Sequence, residues 1–225
     1  MELSFICILR RCKPQPPQIA DLPAIRFETG IRPFTYTGLD YFGPMKAKVG
    51  RQTHKRWGIL YTCLTTRGIW TDVVPNYNTE SCILSIRDFI NRKGLVEIFH
   101  SDNGLNLVGA NNELKKEMEK IDVLRLEEEF TTCYTKWMFT PPESPHMGGM
   151  WERLIRSVKS SLYESMMTRT PTDQMLRSWL IEAENIVNSR PLTFVPIESE
   201  EQEALTPNHF ILGYKALRLL ERTKR

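Results

Sequence analysis

The order of secondary-structure signals along the chain predicts an α/β fold, with a mixed sheet of five strands flanked by helices on both faces. Three strand-like segments follow one another through short linkers, which favours antiparallel hairpins. A helical segment separates the third strand from the fourth, so the fourth is expected to run parallel to the first. The chain has 225 residues, of which 41% are apolar, enough for one substantial core.

The first three strands are predicted at 34–45, 57–65 and 68–75, where β-branched and aromatic residues are frequent. The fourth covers 95–100, and the same β-rich run ends in Asp102 at a turn. A short fifth strand at 136–139 ends before two prolines. The sheet therefore presents Asp102 at the carboxyl end of a buried strand.

Four helices are expected around this sheet. The first begins at Thr79 and is stopped by Gly94. A second, at 111–118, has a charged face, and a third extends from Gly149 to Met167. The fourth covers 172–188 and ends before a proline. This order of strands and helices is an α/β arrangement of ribonuclease H type.

The third predicted helix carries two different stripes. Its core stripe follows the i, i+3, i+4, i+7 rule and consists of Trp151, Leu154, Ile155, Val158 and Leu162. A second stripe, rotated by roughly a quarter turn, carries one carboxylate and two cations: Glu152, Arg156 and Lys159. These three side chains are therefore expected where the core meets solvent.

One globular domain is expected at 25–214, preceded by an arm at 1–24 and followed by a basic tail at 215–225. The arm is rich in proline and contains Cys7 and Cys12, but a structural zinc site needs four ligands. The five cysteines of the chain are scattered, which favours free thiols in a reducing compartment. No run of about 18 apolar residues predicts a membrane span, so we expect an intracellular protein.

Positive charge is concentrated in two places although the net charge is only +3. Residues 46–56 include five Lys or Arg and no acid, and the tail at 215–225 is also basic. We interpret the first run as the solvated tip of a hairpin, with contact to DNA as the alternative.

Three acids stand in comparable settings along the chain. Asp40 lies inside the first strand, Asp102 ends the fourth, and Glu152 opens the third helix after two glycines. Because strands one and four are expected to be neighbours, we predict that the three carboxylates converge on divalent metal. Each acid alone has a simpler interpretation, as a surface acid, a turn residue or a helix-dipole partner. Together they favour Mg²⁺, which prefers hard oxygen ligands and stabilises charge during phosphodiester chemistry.

The motifs around these acids resemble a known family. The segments TGLDYFGP (37–44), SDNG (101–104) and PPESPHMGGMWE (141–152) resemble the integrase catalytic core of long-terminal-repeat retroelements, most closely the BEL/Pao group. NSRPLT (188–193) and LTPNHF (205–210) are also similar to that group. Three motifs in this order are specific, whereas SDNG alone would be weak evidence.

The resemblance implies a catalytic and metal-binding triad of Asp40, Asp102 and Glu152, with Mg²⁺ or Mn²⁺ as cofactor. It implies a DNA-binding polynucleotidyl transferase that trims the 3′ ends of element DNA and joins them to target DNA. It also implies a homo-oligomer that acts in the nucleus, without a membrane partner. The residues expected to contact DNA are Arg156, Lys159, Asn103 and His146.

Two other functions remain open from the sequence. The arm at 1–24 departs from the family's zinc module, because it holds two cysteines and no His pair. We also expect the chain to lack the family's carboxy-terminal DNA-binding module, which would begin after 214. A catalytically silent, truncated or domesticated remnant that binds nucleic acid is therefore the alternative. A ribonuclease H acting on hybrids is a third reading, which the helix-borne Glu152 disfavours.

Overall fold

A computed structural model gives the positions of five parts of the chain: 30–102, 123–130, 135–140, 145–193 and 204–212. The predicted arm at 1–24, the predicted helix at 111–118 and the basic tail lie outside the described residues. The domain boundaries at 24 and 214 therefore stay predictions.

Five strands form one mixed sheet, in the order β3-β2-β1-β4-β5. The strands are β1 (Tyr36–Val49), β2 (Gln52–Cys63), β3 (Ile69–Val74), β4 (Ile98–Asp102) and β5 (Lys136–Thr140). β1, β2 and β3 are antiparallel neighbours, whereas β4 is parallel to both β1 and β5. The predicted fold class and the predicted strand directions are both confirmed.

The helices in the described ranges are α1 (Thr79–Lys93), α2 (Val123–Phe130), α3 (Pro145–Thr168), α4 (Asp173–Asn188) and α5 (Pro207–Ile211). The side chain of Asn78 caps α1 by accepting the Ser81 N–H at 2.9 Å, and Thr172 caps α4 in the same way. No helix in these ranges is long and apolar enough to cross a membrane.

The start of α3 differs from the prediction. The helix was expected to begin at Gly149, with Glu152 near its start, but it begins at Pro145 and includes both Gly148 and Gly149. Proline suits the first turn of a helix, because its missing N–H has no partner there in any case. The two glycines weaken the helix without ending it, so Glu152 lies in the second or third turn of α3 rather than at its start.

The first hairpin is longer than the sequence indicates. β1 and β2 continue to pair as far as Val49 and Gln52, and the register shifts between Phe42 and Met45. This irregularity falls at Gly43 and Pro44, where a proline cannot donate to the ladder. Strict alternation would keep the even-numbered residues of β1 on the face that α3 and α4 cover. After the register shift, the odd-numbered Met45 and Ala47 lie on that face instead.

Two hydrophobic cores cover the two faces of the sheet. On one face α1 packs over aromatic residues of β1, β2 and β3, and Phe89 stacks on Tyr61 with ring centroids 4.1 Å apart. On the other face α3 and α4 pack over Leu60 and Ile69. All five residues of the predicted core stripe of α3 are buried: Trp151, Leu154, Ile155, Val158 and Leu162. The periodicity of α3 is therefore confirmed.

The outer edge of β3 is covered by α4. The Asn188 amide accepts the N–H of Ile69 and donates to its carbonyl, both at 2.8 Å. One turn earlier, the Glu184 carboxylate accepts the Thr71 N–H at 2.8 Å and its hydroxyl at 3.1 Å. These side chains satisfy backbone groups that an edge strand otherwise presents to other chains.

Candidate active site

Asp40 lies in β1 opposite Leu60 of β2, one residue past Leu39, where the pairing with β4 ends. It is half-buried, and its Oδ1 accepts the N–H of Tyr41 at 2.7 Å. Phe42, two residues ahead, and Tyr36, four residues back, belong to the core under α3. The adjacent Leu39 and Tyr41 belong to the core under α1. Alternation along a strand therefore directs Asp40 to the α3 face of the sheet.

The parallel pairing of β1 with β4 brings Asp40 next to Asp102 in the backbone. Gly38 is paired with His100 and Leu39 with Ser101, so the next step of the register puts Asp40 beside Asp102. Neighbouring strands are about 4.8 Å apart. The predicted neighbourhood of strands one and four is thus confirmed, and the position of Asp102 at the end of β4 is confirmed as well. The side chain of Asp102 lies outside the described residues.

Helix α3 approaches the sheet closely at Gly38. A Cβ placed on Gly38 would lie 3.0 Å from Cε3 of Trp151 and 3.4 Å from Leu64. Trp151 is buried and Glu152, which follows it, is exposed. The absence of a side chain at Gly38 lets α3 dock two residues from Asp40, so Glu152 belongs to the same side of the sheet as Asp40.

The convergence of three carboxylates stays a prediction. Among residues whose side chains are described, no group of three His, Cys, Asp or Glu could hold a metal ion, and Asp102 is not in that set. The donor set nevertheless fits Mg²⁺ or Mn²⁺, since carboxylate oxygens are hard ligands.

The residues expected to bind DNA fall into two groups. Arg156 and Lys159 are exposed on α3, one and two turns beyond Glu152, as the sequence predicts. His146 lies in the first turn of α3, but its side chain and the whole of Asn103 lie outside the described residues. The predicted stripe of one carboxylate and two cations is therefore present on the solvent side of α3.

His100 is buried on the face of the sheet that α3 covers, and the β1–β4 register pairs it with Gly38. Burial lowers the pKa of its imidazole, and within the described residues Nε2 has no hydrogen-bond partner. Burial thus keeps His100 in its neutral form. We interpret His100 as a structural residue, because Mg²⁺ disfavours imidazole.

The motifs at 188–193 and 205–210, which supported only the family resemblance in the sequence, have structural roles. Asn188 secures the edge of β3, and Asn208 joins α5 to α4 through Asn185 at 3.1 Å and Ser189 at 3.0 Å. Sequence reasoning missed Glu184, since a Glu in an amphipathic helix gives no signal of burial. Burial is the main cause that raises its pKa from 4.5 to about 7.

Of the expected free thiols, the structure describes Cys63 and Cys82, and both are buried and unbonded to another cysteine. Burial raises the pKa of Cys82 to about 12, so this thiol is not a nucleophile at neutral pH. Cys7, Cys12 and Cys133 lie outside the described residues.

Comparison with known proteins gives structural likeness without a sequence match. No family model matches the chain, and no curated protein does. The chain is similar to a chain of the simian T-cell lymphotropic virus intasome in complex with the PP2A regulatory subunit B56γ. That pair has a TM-score of 0.51 and 15% identity, over 81% of this chain and 56% of that one. This chain thus spans about half of the intasome chain.

Two integrase cores are also similar at lower TM-scores. The catalytic core domain of BIV integrase has a TM-score of 0.46 and 16% identity, over 83% of this chain and 99% of that one. The HTLV-2 integrase catalytic core in complex with magnesium has a TM-score of 0.48 and 13% identity, over 80% and 98%. At such identities a likeness defines the fold alone. The chain has a ribonuclease H-like fold, a mixed five-stranded sheet flanked by helices.

Proposed function

We propose that this chain is a metal-dependent polynucleotidyl transferase of retroelement origin, which trims 3′ ends of element DNA and joins them to target DNA. One observation carries the proposal. The β1–β4 register brings the backbone of Asp40 beside that of Asp102. Helix α3, which carries Glu152, packs on the same sheet at Gly38, two residues from Asp40. This arrangement supports the proposal that three acids from distant parts of the sequence meet at one site.

Asp40, Asp102 and Glu152 would hold the Mg²⁺ or Mn²⁺. Adjacent carboxylates in a partly buried site repel one another, and a divalent cation relieves that repulsion. When bound, the metal supplies Lewis-acid stabilisation of phosphoryl oxygens and lowers the pKa of a water or hydroxyl nucleophile. The Tyr41 N–H orients one oxygen of Asp40, which limits the rotamers that this ligand can adopt.

The cations of α3 would position the DNA. Arg156 and Lys159 are exposed on the helix that carries Glu152, so phosphates bound to them lie next to the triad. Contacts to phosphate fix the orientation of a duplex without reading its sequence. Asn103 and His146, which neighbour the triad in sequence, would add contacts near the scissile bond.

The retroelement assignment has two independent supports. The motifs at 37–44, 101–104 and 141–152 resemble the BEL/Pao group, and the fold resembles a chain of a viral intasome. By the same resemblance we propose a homo-oligomer that works in the nucleus. We also propose that 25–214 is the integrase core, between an arm derived from a zinc module and a basic tail.

A catalytically silent remnant is the second candidate. The observation that favours it is the arm, where Cys7 and Cys12 flank Arg10 and Arg11, whereas a Cys-x-x-Cys precedes such a pair in the family that the chain resembles. A remnant of this kind would bind nucleic acid through its basic surfaces and would do no chemistry.

Strand transfer and disintegration on oligonucleotides, with Mg²⁺ or Mn²⁺, test the proposal. We expect products from the wild type, and a loss of roughly 10²-fold to 10³-fold or more in Asp40→Asn, Asp102→Asn and Glu152→Gln, because each change removes a metal-binding charge. Asp88→Asn is the matched control, since Asp88 is an exposed acid of α1. If the wild type binds DNA but yields no metal-dependent product, the silent remnant is the correct reading.

A further inference from the structure

The tip of the first hairpin forms a two-stranded arm that extends past the rest of the sheet. β2 pairs with β3 only from Trp57 onward, and β1 pairs with β4 only as far as Leu39. We call residues 45–56 the basic arm. Among the strands that the structure describes, each side of this arm is paired only with the other side of the hairpin.

One face of the basic arm is fastened to the start of α4. Met45 and Ala47 are buried there, and the Lys48 N–H donates to the carbonyl of Pro171 at 2.7 Å. Arg56 donates from Nε and from Nη2 to the two carboxylate oxygens of Asp173, both at 2.9 Å. A forked pair of this kind fixes direction as well as distance. The arm is thus held in one orientation.

The opposite face of the basic arm is positively charged. Lys46 is paired with Lys55 and Lys48 with Thr53, so the three lysines share one face, and Arg51 lies at the tip. All four cations are exposed. No acidic residue occurs between 46 and 56. Lys46, Lys48 and Arg51 form no ion pair within the ranges that the structure describes.

The exposed lysines of the basic arm favour a partner that carries a row of negative charges. Lys46 and Lys48 are two residues apart on one face, about 6.6 Å along the strand, which is inside the Debye length of about 8 Å at physiological salt. Their charges therefore repel one another in the isolated protein. A regular row of negative charges, such as a phosphate backbone, would relieve that repulsion and release counterions.

We propose that the basic arm is a second DNA-binding surface, which holds duplex phosphates independently of base sequence. The register shift between Phe42 and Met45 turns these lysines away from the α3 face, where Asp40 and Glu152 lie. The surface is therefore separate from the candidate active site, and a duplex held there is a different segment from the one being cut. The identity of the partner as DNA rests on the proposed function.

The salt dependence of duplex binding tests this surface. For B-DNA, log Kobs falls with log salt by about 0.9 for each phosphate contact. We expect Lys46→Gln/Lys48→Gln to reduce the slope by about 1.8 and to weaken binding to duplexes of unrelated sequence by the same factor. Measurements by fluorescence anisotropy between about 50 and 200 mM salt give both quantities.

Arg87→Gln/Arg92→Gln in α1 is the charge-matched control, and its salt slope should stay within 0.5 of the wild-type slope, taken as roughly half a phosphate contact. Melting curves of both variants verify that they fold. An unchanged slope in the lysine variant, or an equal loss in the control, overturns the proposal. If the lysine variant loses slope while no protein shows metal-dependent strand transfer, the arm is supported and the proposed reaction alone fails.

Discussion

The two faces of the sheet differ in what they bury. Under α1 the core is dense in aromatic rings, and Phe89 contacts Phe34, Tyr61 and Trp70 with centroid distances of 5.4, 4.1 and 5.4 Å. Under α3 and α4 the core is largely aliphatic and is interrupted by Gly38, Asp40 and His100. The α1 face combines aromatic rings with one buried carboxylate, Asp72, which accepts from the Ser85 hydroxyl at 3.4 Å. The other face carries Gly38, Asp40 and His100 where β1 and β4 meet.

This difference indicates a division of labour. Buried acids lower stability unless they are paired, whereas a packed aromatic cluster raises it. A fold can therefore tolerate a site of adjacent carboxylates on one face when the other face supplies a strong core. We expect substitutions on the α1 face to lower the free energy of unfolding by opening cavities. We expect substitutions on the α3 and α4 face to change it through helix docking, through the pH or through bound metal.

The largest effect is expected from Phe89→Ala. Phe89 is fully buried, so truncation leaves a cavity among three aromatic rings and should lower the free energy of unfolding by about 3–5 kcal/mol. Urea unfolding measures it. Leu84→Ala in the same helix is the control, since Leu84 is 63% exposed and its loss should cost less than about 0.5 kcal/mol. Similar losses in both variants would show that the α1 face is not the stronger core.

The second prediction concerns Glu184, which should make the free energy of unfolding depend on pH. Its pKa is raised from 4.5 to about 7, by burial first and by Asp72 to a lesser degree, while Thr71 and Lys93 oppose the shift. A carboxyl with a raised folded-state pKa contributes most stability below its unfolded pKa. That contribution is lost as the pH rises from about 4.5 to about 7, because the unfolded state ionises first.

The comparison variant is Glu184→Gln, which keeps an acceptor for the Thr71 N–H and does not titrate. Relative to this variant, the wild type should lose up to about 3 kcal/mol between pH 4.5 and pH 7, at about 1.36 kcal/mol for each pKa unit. Urea unfolding at a series of pH values measures the difference. A constant difference across this range would contradict a buried, titrating Glu184.

Gly38→Ala should have a smaller effect on the other face. The added methyl would meet Cε3 of Trp151 at 3.0 Å, so the indole ring must move by a few tenths of an ångström, at a cost of about 1–3 kcal/mol. Combining it with Trp151→Leu tests the contact, because the smaller side chain removes the clash. The cost of Gly38→Ala in that background should then fall well below its cost in the wild type. Additive losses would place α3 elsewhere.

The main features of the fold could be predicted because they depend on local patterns. Alternation and short linkers gave the antiparallel hairpins, and the intervening α1 gave the parallel β4. The stripe beginning at Trp151 gave the buried face of α3. The predicted start of α3 was wrong, since Gly148 and Gly149 were expected to precede the helix. Pro145 suits the first turn of a helix, and the prediction did not use that signal.

The candidate site could be predicted in position but not in detail. The adjacency of Asp40 and Asp102 follows from strand order, which the chain encodes through its connections. The close approach at Gly38, the face change after Phe42 and the burial of Glu184 depend on contacts between distant segments. Patterns within one segment contain no information about such contacts.

Thermal melting with and without Mg²⁺ tests the central claim, that Asp40, Asp102 and Glu152 share divalent metal. An ion that binds only the folded state raises the melting temperature. When the ion is at 100 times its Kd, the free energy of unfolding rises by about 2.7 kcal/mol. We expect a rise in the wild type and in Asp88→Asn, and none in Asp40→Asn or Asp102→Asn. An equal rise in all four proteins, or no rise in the wild type at millimolar Mg²⁺, would contradict the claim.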